Sequence, residues 1–422
     1  MIDHKASLEG TPMKRTFIMQ KQTIKQLYAN IDHQTARYNA LREQFRVAFA
    51  AEPTAAFSVP GRVEICGNHT DHQGGVVMGA SVNLDIVAVC KPNNDNAVRL
   101  SQVGRENISV SLADTTPRPE DNGRAQALVR GVADGLKQRG YAISGVSATI
   151  DNEVPGGAGL SSSAAFSVLI GAMLSACEGQ AVSTRELAEI AHYAEREHFG
   201  KPCGMLDQLA CATGGMQMLD FGGGQIDLTA IPADFSDYSL CITTPGGDHT
   251  DLTDEYSAIV AEMFAVAAHF EAKKLSEISL QQVIAAAPAL REKCGDRAVL
   301  RAVHYFNECT RVHRAADGLK CGNIDVFLAQ LKLSGDSSHK YLQNVTYINQ
   351  PQNLATALLL SETLLDGCGA TRVHGGGFEG TILAFVPSDR LDDYVTAMNA
   401  AFGKGACNPL QVREFGAVQV DG

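Results

Sequence analysis

From Val154 to Cys177 the chain carries no charged residue, and this run reads "VPGGAGLSSS" followed by "AAFSVLIGAMLSAC". An uncharged stretch of that length raises the question of a membrane span. The glycines, proline and serines of its leading part exclude one, leaving a tight loop that feeds an apolar helix. Pro155 and three glycines let the backbone come close to a ligand, and the serines stand where the helix begins. The first turn of such a helix has free N–H groups and the positive end of the dipole, so a phosphate chain can bind there without a lysine. No GxxxxGK[ST] pattern occurs, which excludes a Walker loop. The competing reading is a glycine-rich turn before a capped core helix.

A chain of 422 residues exceeds the ~250–300 at which one hydrophobic core stops growing, so two domains are expected, with a ligand cleft between them. A net charge of −12 has the wrong sign for a nucleic-acid face. Neither a nucleic-acid nor a membrane partner is expected, and the assembly is expected to be a monomer or a weak oligomer. Eleven cysteines lie scattered without a CxxC pair, which suggests neither a disulfide framework nor a zinc ribbon and fits a reducing cytoplasm. The segment from Met1 to Gln20 mixes charged and polar residues and lacks the apolar core of a signal peptide; it is expected to fray.

Apolar residues recur at helical spacing from Met19 to Ala51, broken near Asp32, predicting one or two surface helices. The stretches "AAFSVPGRVEICG", "VVMGASVNLDIVAVCKP", "VRLSQV", "ISVSLAD" and "GVSATIDNEVP" read as strands. Helices are predicted over Ala125–Arg139, Ser161–Cys177 and Ser183–Phe199, the last opening with the capping box "STRE". "GGMQMLDFGGGQIDL" reads as a turn between strands, and its glycine run places the expected domain boundary at Gly222, giving domains 1–222 and 223–422. The second half opens with the strand "YSLCITTP", is helical from Asp254 to about Leu333, and ends in a helix, a strand pair around "HGGGFEG", a helix and a last strand. Strands mixed with runs of helices indicate an α+β protein.

Two further stretches carry chemistry. "AEREHFGKPCGMLDQ" places Glu195 and Glu197 at a helix C-terminus, where they oppose the dipole and call for a cation, and then presents Asp207 in a glycine-bounded turn. Magnesium would serve, since it prefers hard oxygens shared between carboxylates and phosphates. "GRVEICGNHTDHQGG", from Gly61, sets Arg62, Asn68, His69 and Asp71 close together between glycines.

Together "GRVEICGNHTDHQGG", "VPGGAGLSSSAAF", "GKPCGMLDQ" and "GGGFEGTILAFVP" resemble the GHMP small-molecule kinases, and within them the galactokinase group. The likeness runs from about Phe57 to Phe385, in the right order. The resemblance implies a two-domain GHMP kinase fold with ATP and a small-molecule sugar meeting in the cleft between domains. By matching position it implies that Gly157, Ala158, Gly159, Leu160, Ser161, Ser162 and Ser163 enclose the ATP phosphates, with Ser163 and Glu195 as magnesium ligands. It also implies Asp207 as the catalytic aspartate, Arg62 as the transition-state arginine, and Asn68, His69, Thr70, Asp71, Gly204 and Tyr256 as sugar contacts, with Gly375 to Gly377 closing the site. The implied reaction is phosphorylation of galactose or a close relative at the C1 hydroxyl. An arginine beside Asp207 should lower its pKa and keep it ionised, so it would orient the attacking hydroxyl and take its proton late.

The sequence departs from the group's pattern at Asn68 (usually glutamate), His72 (tyrosine), Glu64 (asparagine) and Glu379 (a small residue). The group uses the glutamate near the sugar's C6 hydroxyl, so Asn68 opens the alternative of a sugar acid such as galacturonate. Glu379 is expected to point to solvent. A galactose-sensing regulator without catalysis is a further alternative, opposed by the intact serine run and Asp207. A kinase for a non-sugar alcohol is opposed by the His69 and Asp71 cluster.

Overall fold

The computed structural model describes residues 19–201, 203–235, 237–246, 253–346, 351–378 and 380–421. Its first eight strands are β1 (Gln20–Thr23), β2 (Ala55–Cys66), β3 (Val76–Asn93), β4 (Ala97–Gln102), β5 (Ile108–Ser111), β6 (Gly145–Asn152), β7 (Met216–Asp220) and β8 (Asp227–Ile231). The remaining strands are β9 (Tyr238–Thr243), β10 (Ala370–His374), β11 (Thr381–Pro387), β12 (Cys407–Leu410) and β13 (Val418–Asp421). Nine strands make one mixed sheet in the order β1-β13-β2-β3-β6-β4-β5, with the β7–β8 hairpin attached through β3. Four make a second, antiparallel sheet in the order β10-β11-β9-β12. The two sheets and their covering helices make an α+β protein of two domains.

The length of β3 organises the first domain. Its Ile86–Asn93 part pairs with β6 and its Val76–Ala80 part with β7, while β2 runs along its other edge. Nearly every residue of β2 and of the Val76–Val82 part of β3 is buried, as expected of a β-branched-rich run in the middle of a sheet covered on its faces. The uncharged helix Ser162–Cys177 packs on these two strands and is itself covered by helices Ala125–Gln138 and Thr184–Tyr193. Burial on all sides explains why it has no polar face. Ser183 caps the next helix as its motif predicts: its hydroxyl accepts from Glu186 N–H at 3.2 Å while the Glu186 carboxylate accepts from Ser183 N–H at 3.1 Å. That helix then widens into a π turn over Ala194–His198, which carries Glu195; such turns occur often at functional positions.

Two sequence expectations need correction. Gly222 is no domain boundary: it lies in the turn of the β7–β8 hairpin, both strands of which belong to the large sheet, and the chain leaves that sheet only between Ile231 and Tyr238. The C-terminus also returns to the first domain, where β13 inserts between β1 and β2. A buried charge cluster fastens this return. Asp85, fully buried, accepts from Arg37 at 2.7 Å, Arg413 at 2.8 Å and Tyr28 at 2.5 Å, and also from Ser58. Burial alone would raise its pKa, but Arg37 and Arg413 outweigh it and hold the carboxyl below its ordinary value.

Candidate active site

The "VPGGAGLSSS" loop lies where β2, helix Ser162–Cys177 and the second sheet meet. Arg62 N–H donates to the Leu160 carbonyl at 3.1 Å, and the Arg62 guanidinium donates to the Gly159 carbonyl. Gly159 has φ +70°, and a Cβ there would lie 2.9 Å from His374 Nδ1 and 3.0 Å from Thr381 Oγ1, so only glycine lets the loop rest on the second domain. By contrast Gly156 and Gly157 would meet nothing within 4 Å, which leaves the outer side of the loop open. Leu160 and Ala158 are buried; Ser161, Ser162 and Ser163 are half-buried.

Ser161 stands at the N-cap but does not cap the helix. Its backbone is left-handed, with φ +59°, and its hydroxyl donates instead to Asp207 Oδ2 at 2.6 Å. Diverting that hydroxyl leaves the first-turn N–H groups unclaimed by a capping side chain, as an anion site requires. Ser162 Oγ accepts from Asn152 at 3.1 Å, whereas the Ser163 hydroxyl has no protein partner among the described residues.

Asp207 opens the helix Leu206–Thr213 in its first turn. Two Arg62 nitrogens donate to Asp207 Oδ1, Nε at 2.8 Å and Nη2 at 2.6 Å. Burial would raise the Asp207 pKa, but Arg62 foremost, then Lys201 and the Ser161 hydroxyl, outweigh it and bring it to about 2. The carboxylate is therefore ionised at neutral pH. Lys201 went unnoticed in the sequence, although a lysine three residues before the Gly204 turn was a usable signal. Its Nζ lies 3.5 Å from Glu195 Oε2. Glu195 is fully buried, and its Oε1 has no partner among the described residues. Among the described residues no cluster of three or more His, Cys, Asp and Glu side chains is arranged to hold a metal alone.

The loop after β2 divides its residues between two situations. Asp71 is half-buried, with its Oδ2 against Gly204, where an added Cβ would lie 1.5 Å from that oxygen. Burial raises the Asp71 pKa to about 6, with the charges of Glu64 and Asp207 adding to it. Asn68 and Thr70 behave otherwise, and their expected role as sugar contacts is corrected. Asn68 is fully buried; its amide donates to Glu64 at 2.8 Å and to the Gly375 carbonyl at 2.5 Å, and its oxygen accepts from Asn344 at 2.8 Å. Thr70, also fully buried, gives its hydroxyl to the Gly67 and Val76 carbonyls. The Asn68 amide has no group to spare for a ligand, and burial shuts the Thr70 hydroxyl off from one. His69, left-handed at φ +59°, places Nε2 3.1 Å from the Gly376 carbonyl, and the Tyr256 hydroxyl donates to the Gly377 carbonyl at 3.0 Å. The Gly375–Gly377 loop is thus tied to the loop after β2 by Asn68 and His69 and to helix Thr253–His269 by Tyr256. Glu379 lies outside the described residues.

A family model described as the GHMP kinases N terminal domain matches residues 127–215, and one described as the galactokinase galactose-binding signature matches residues 43–92. A galactokinase from Glaesserella parasuis serovar 5 is 28% identical over 354 residues, covering 83% of this chain and 89% of that protein. Lactococcus lactis galactokinase, solved in complex with galactose, shares the fold with a TM-score of 0.79 at 24% identity, covering 91% of this chain and 99% of that one. The mevalonate kinase of Methanococcus jannaschii shares it more distantly, with a TM-score of 0.61 at 14% identity over 85% of this chain and 98% of that one.

Proposed function

Since the chain belongs to the GHMP kinases and carries the galactokinase galactose-binding signature over the segment that holds Arg62 and Asp71, we propose that it transfers the γ-phosphoryl group of ATP to the C1 hydroxyl of galactose or a close relative. The observation that carries the reading is the junction at Asp207. One carboxylate is held by an arginine that also holds the phosphate loop and by the serine at the start of the phosphate-facing helix. Phosphate donor and sugar acceptor would meet across that carboxylate.

In the reaction Asp207, ionised by Arg62, orients the attacking hydroxyl. Its proton leaves late, because phosphoryl transfer runs through a loose transition state that asks little of a base. Arg62 offsets the charge that spreads over the phosphoryl oxygens. The unclaimed N–H groups after Ser161 and the open side of Gly156 and Gly157 receive the phosphate chain. Asp71, kept in place by the absence of a side chain at Gly204, accepts from sugar hydroxyls.

Ser163 and Glu195 would hold magnesium. The fit rests on Glu195 Oε1, a buried oxygen, and on the Ser163 hydroxyl, neither of which has a partner among the described residues. Bound there, the ion would offset negative charge on the phosphate oxygens. All eleven cysteines are unpaired, which supports a reducing, cytoplasmic setting, and no helix among the described residues is long and apolar enough to cross a membrane.

The test is ATP-dependent phosphorylation of a sugar panel with magnesium, read as ADP release and as the position of the phosphate. Galactose 1-phosphate as the main product supports the reading. Binding of galactose and ATP without ADP release would instead identify a sensor.

A further inference from the structure

One carboxylate in the substrate loop has no task in the mechanism above. Glu64 stands two residues beyond Arg62 in the stretch of β2 that keeps a regular register with β3, so strand alternation sends both side chains to one face. It is only 8% exposed. Its Oε1 accepts from Asn68 Nδ2 at 2.8 Å and from Arg372 Nη2 at 3.3 Å, and its backbone N–H donates to His374 Nε2 at 2.9 Å. Both Arg372 and His374 belong to β10 of the second sheet, so the second domain fixes this residue by main chain and side chain together. Arg372 is itself fully buried and spends Nη1 on the Ile65 carbonyl at 2.9 Å.

The second carboxylate oxygen, Oε2, has no protein partner among the described residues and is not sealed from solvent. A nearly buried carboxylate oxygen gains from a hydrogen-bond donor, and here the protein supplies none. The nearby arginines are committed, Arg62 to Asp207 and the Gly159 carbonyl, Arg372 to Glu64 and the Ile65 carbonyl. What this part of the loop offers a ligand is therefore carboxylate oxygen, from Glu64 and from Asp71, whose charges are close enough to act on each other. Such a surface accepts from hydroxyls and repels a carboxylate.

Building on the sugar-kinase reading, we propose that Glu64 sets the charge class of the substrate: its free oxygen takes a hydroxyl of a neutral sugar, and its charge refuses a uronic acid. Asn68, buried beneath it, serves as its anchor. The sugar acid that Asn68 alone suggested is accordingly not the substrate.

The experiment compares galactose and galacturonate, by calorimetric titration and by initial rates with magnesium and ATP, on the parent protein, Glu64→Gln and Glu64→Asp. The parent should prefer galactose. Glu64→Gln should weaken galactose roughly 10-fold, as loss of a hydrogen bond to a charged group does, and shrink the preference over galacturonate by roughly 10- to 100-fold. Glu64→Asp keeps the charge on a shorter stem, so it should weaken galactose while still refusing the acid. It also carries the test if leaving Arg372 without a charged partner unfolds the glutamine variant. An unchanged galactose-to-galacturonate ratio in a folded Glu64→Gln, or acceptance of the acid by Glu64→Asp, overturns the assignment and leaves the kinase reading standing. Failure of the parent to phosphorylate any neutral sugar overturns the kinase reading itself.

Discussion

Arg62 grips a single oxygen of Asp207 with two nitrogens, at 2.6 and 2.8 Å, leaving the other oxygen to the Ser161 hydroxyl at 2.6 Å. The clamp fixes both the direction of the carboxylate and its charge, and it explains why a group this buried stays ionised. Asp207→Asn keeps the shape and removes the charge that attracts both Arg62 and the attacking hydroxyl. Its kcat should fall at least ~10³-fold, and Arg62→Lys, which loses the fork geometry, by roughly 10²-fold. Single-turnover rates with saturating substrates, beside unchanged circular dichroism, check this. A loss confined to KM would remove both residues from the chemical step.

The pH profile should follow Asp71 and not Asp207. Asp207, with a pKa near 2, does not titrate in the working range, whereas burial brings Asp71 to about 6. As pH falls through that value Asp71 takes up a proton and ceases to accept from sugar hydroxyls. The acid limb of kcat/KM for the sugar should therefore bend near pH 6, and Asp71→Asn should lower activity and abolish the bend. Because the folded-state pKa is raised, ionising Asp71 also weakens folding. Its contribution to stability is fully present below ~3.9 and is lost as pH rises through about 6. A limb that persists in Asp71→Asn would assign it to another group.

Gly204→Ala tests the same carboxylate sterically. The new methyl would lie 1.5 Å from Asp71 Oδ2, so one of the two must move. Asp71 opens a single 3-10 turn, Asp71–Gln73, and its side chain would swing away, giving up the bond its Oδ1 accepts from His72 N–H at 2.9 Å. The sugar KM should rise roughly 10²-fold, as a displacement of about an ångström commonly costs. Affinity for ATP, measured by calorimetry, should change little, because the atoms nearest the new methyl all belong to Asp71. Equal losses for both ligands would mean that the helix behind Gly204 had shifted instead.

The large features were legible because each rests on a local pattern. The uncharged run after Val154 could only be a loop and a buried helix, and the "STRE" box does cap its helix. Arg62 and Asp207 lie 145 positions apart in the chain and meet as the family pattern implied. What stayed hidden depends on distant partners. Asn68 and Thr70 look like ligand-binding residues in a polar motif, yet their partners include Asn344, Gly375 and Val76, and no local rule announces which polar side chains will be consumed internally. Ser161 looks like a helix cap, and only its left-handed backbone and the nearness of Asp207 redirect its hydroxyl. Gly222 looks like a linker because a hairpin turn and a boundary use the same residues; pairing of β8 with β7 decides between them.

Asp85 makes a prediction about stability alone. It is fully buried and ties Arg37, Arg413, Tyr28 and Ser58 together, so Asp85→Ala would leave two buried guanidinium groups without that partner. Breaking a buried pair in this way costs about 3–5 kcal/mol. The two arginines hold its folded-state pKa below the ordinary value. Its stabilisation is thus present above the unfolded value of ~3.9 and fades as the pH falls below it. Urea midpoints between pH 3 and 7 should show the parent losing an advantage over Asp85→Ala at the acid end. A constant difference across that range would contradict the assignment.

Glu195 should separate stability from function in the opposite direction. It is fully buried; among the described residues one oxygen has no partner, and the other meets a half-exposed lysine at 3.5 Å and the thiol of Cys203 at 3.5 Å. A carboxylate so poorly compensated costs folding energy, since its desolvation is not matched by hydrogen bonds. Glu195→Gln removes that cost with little change in volume, so the ligand-free protein should melt at the same temperature or higher. The same change removes the negative charge offered to a cation. Magnesium required for half-maximal turnover should rise at least ~10-fold, and the rise in Tm produced by ATP with magnesium should shrink accordingly, because ligand stabilisation follows affinity. A clear drop in the ligand-free Tm would instead make Glu195 a structural partner of Lys201, and unaltered magnesium dependence would move the metal away from the π turn.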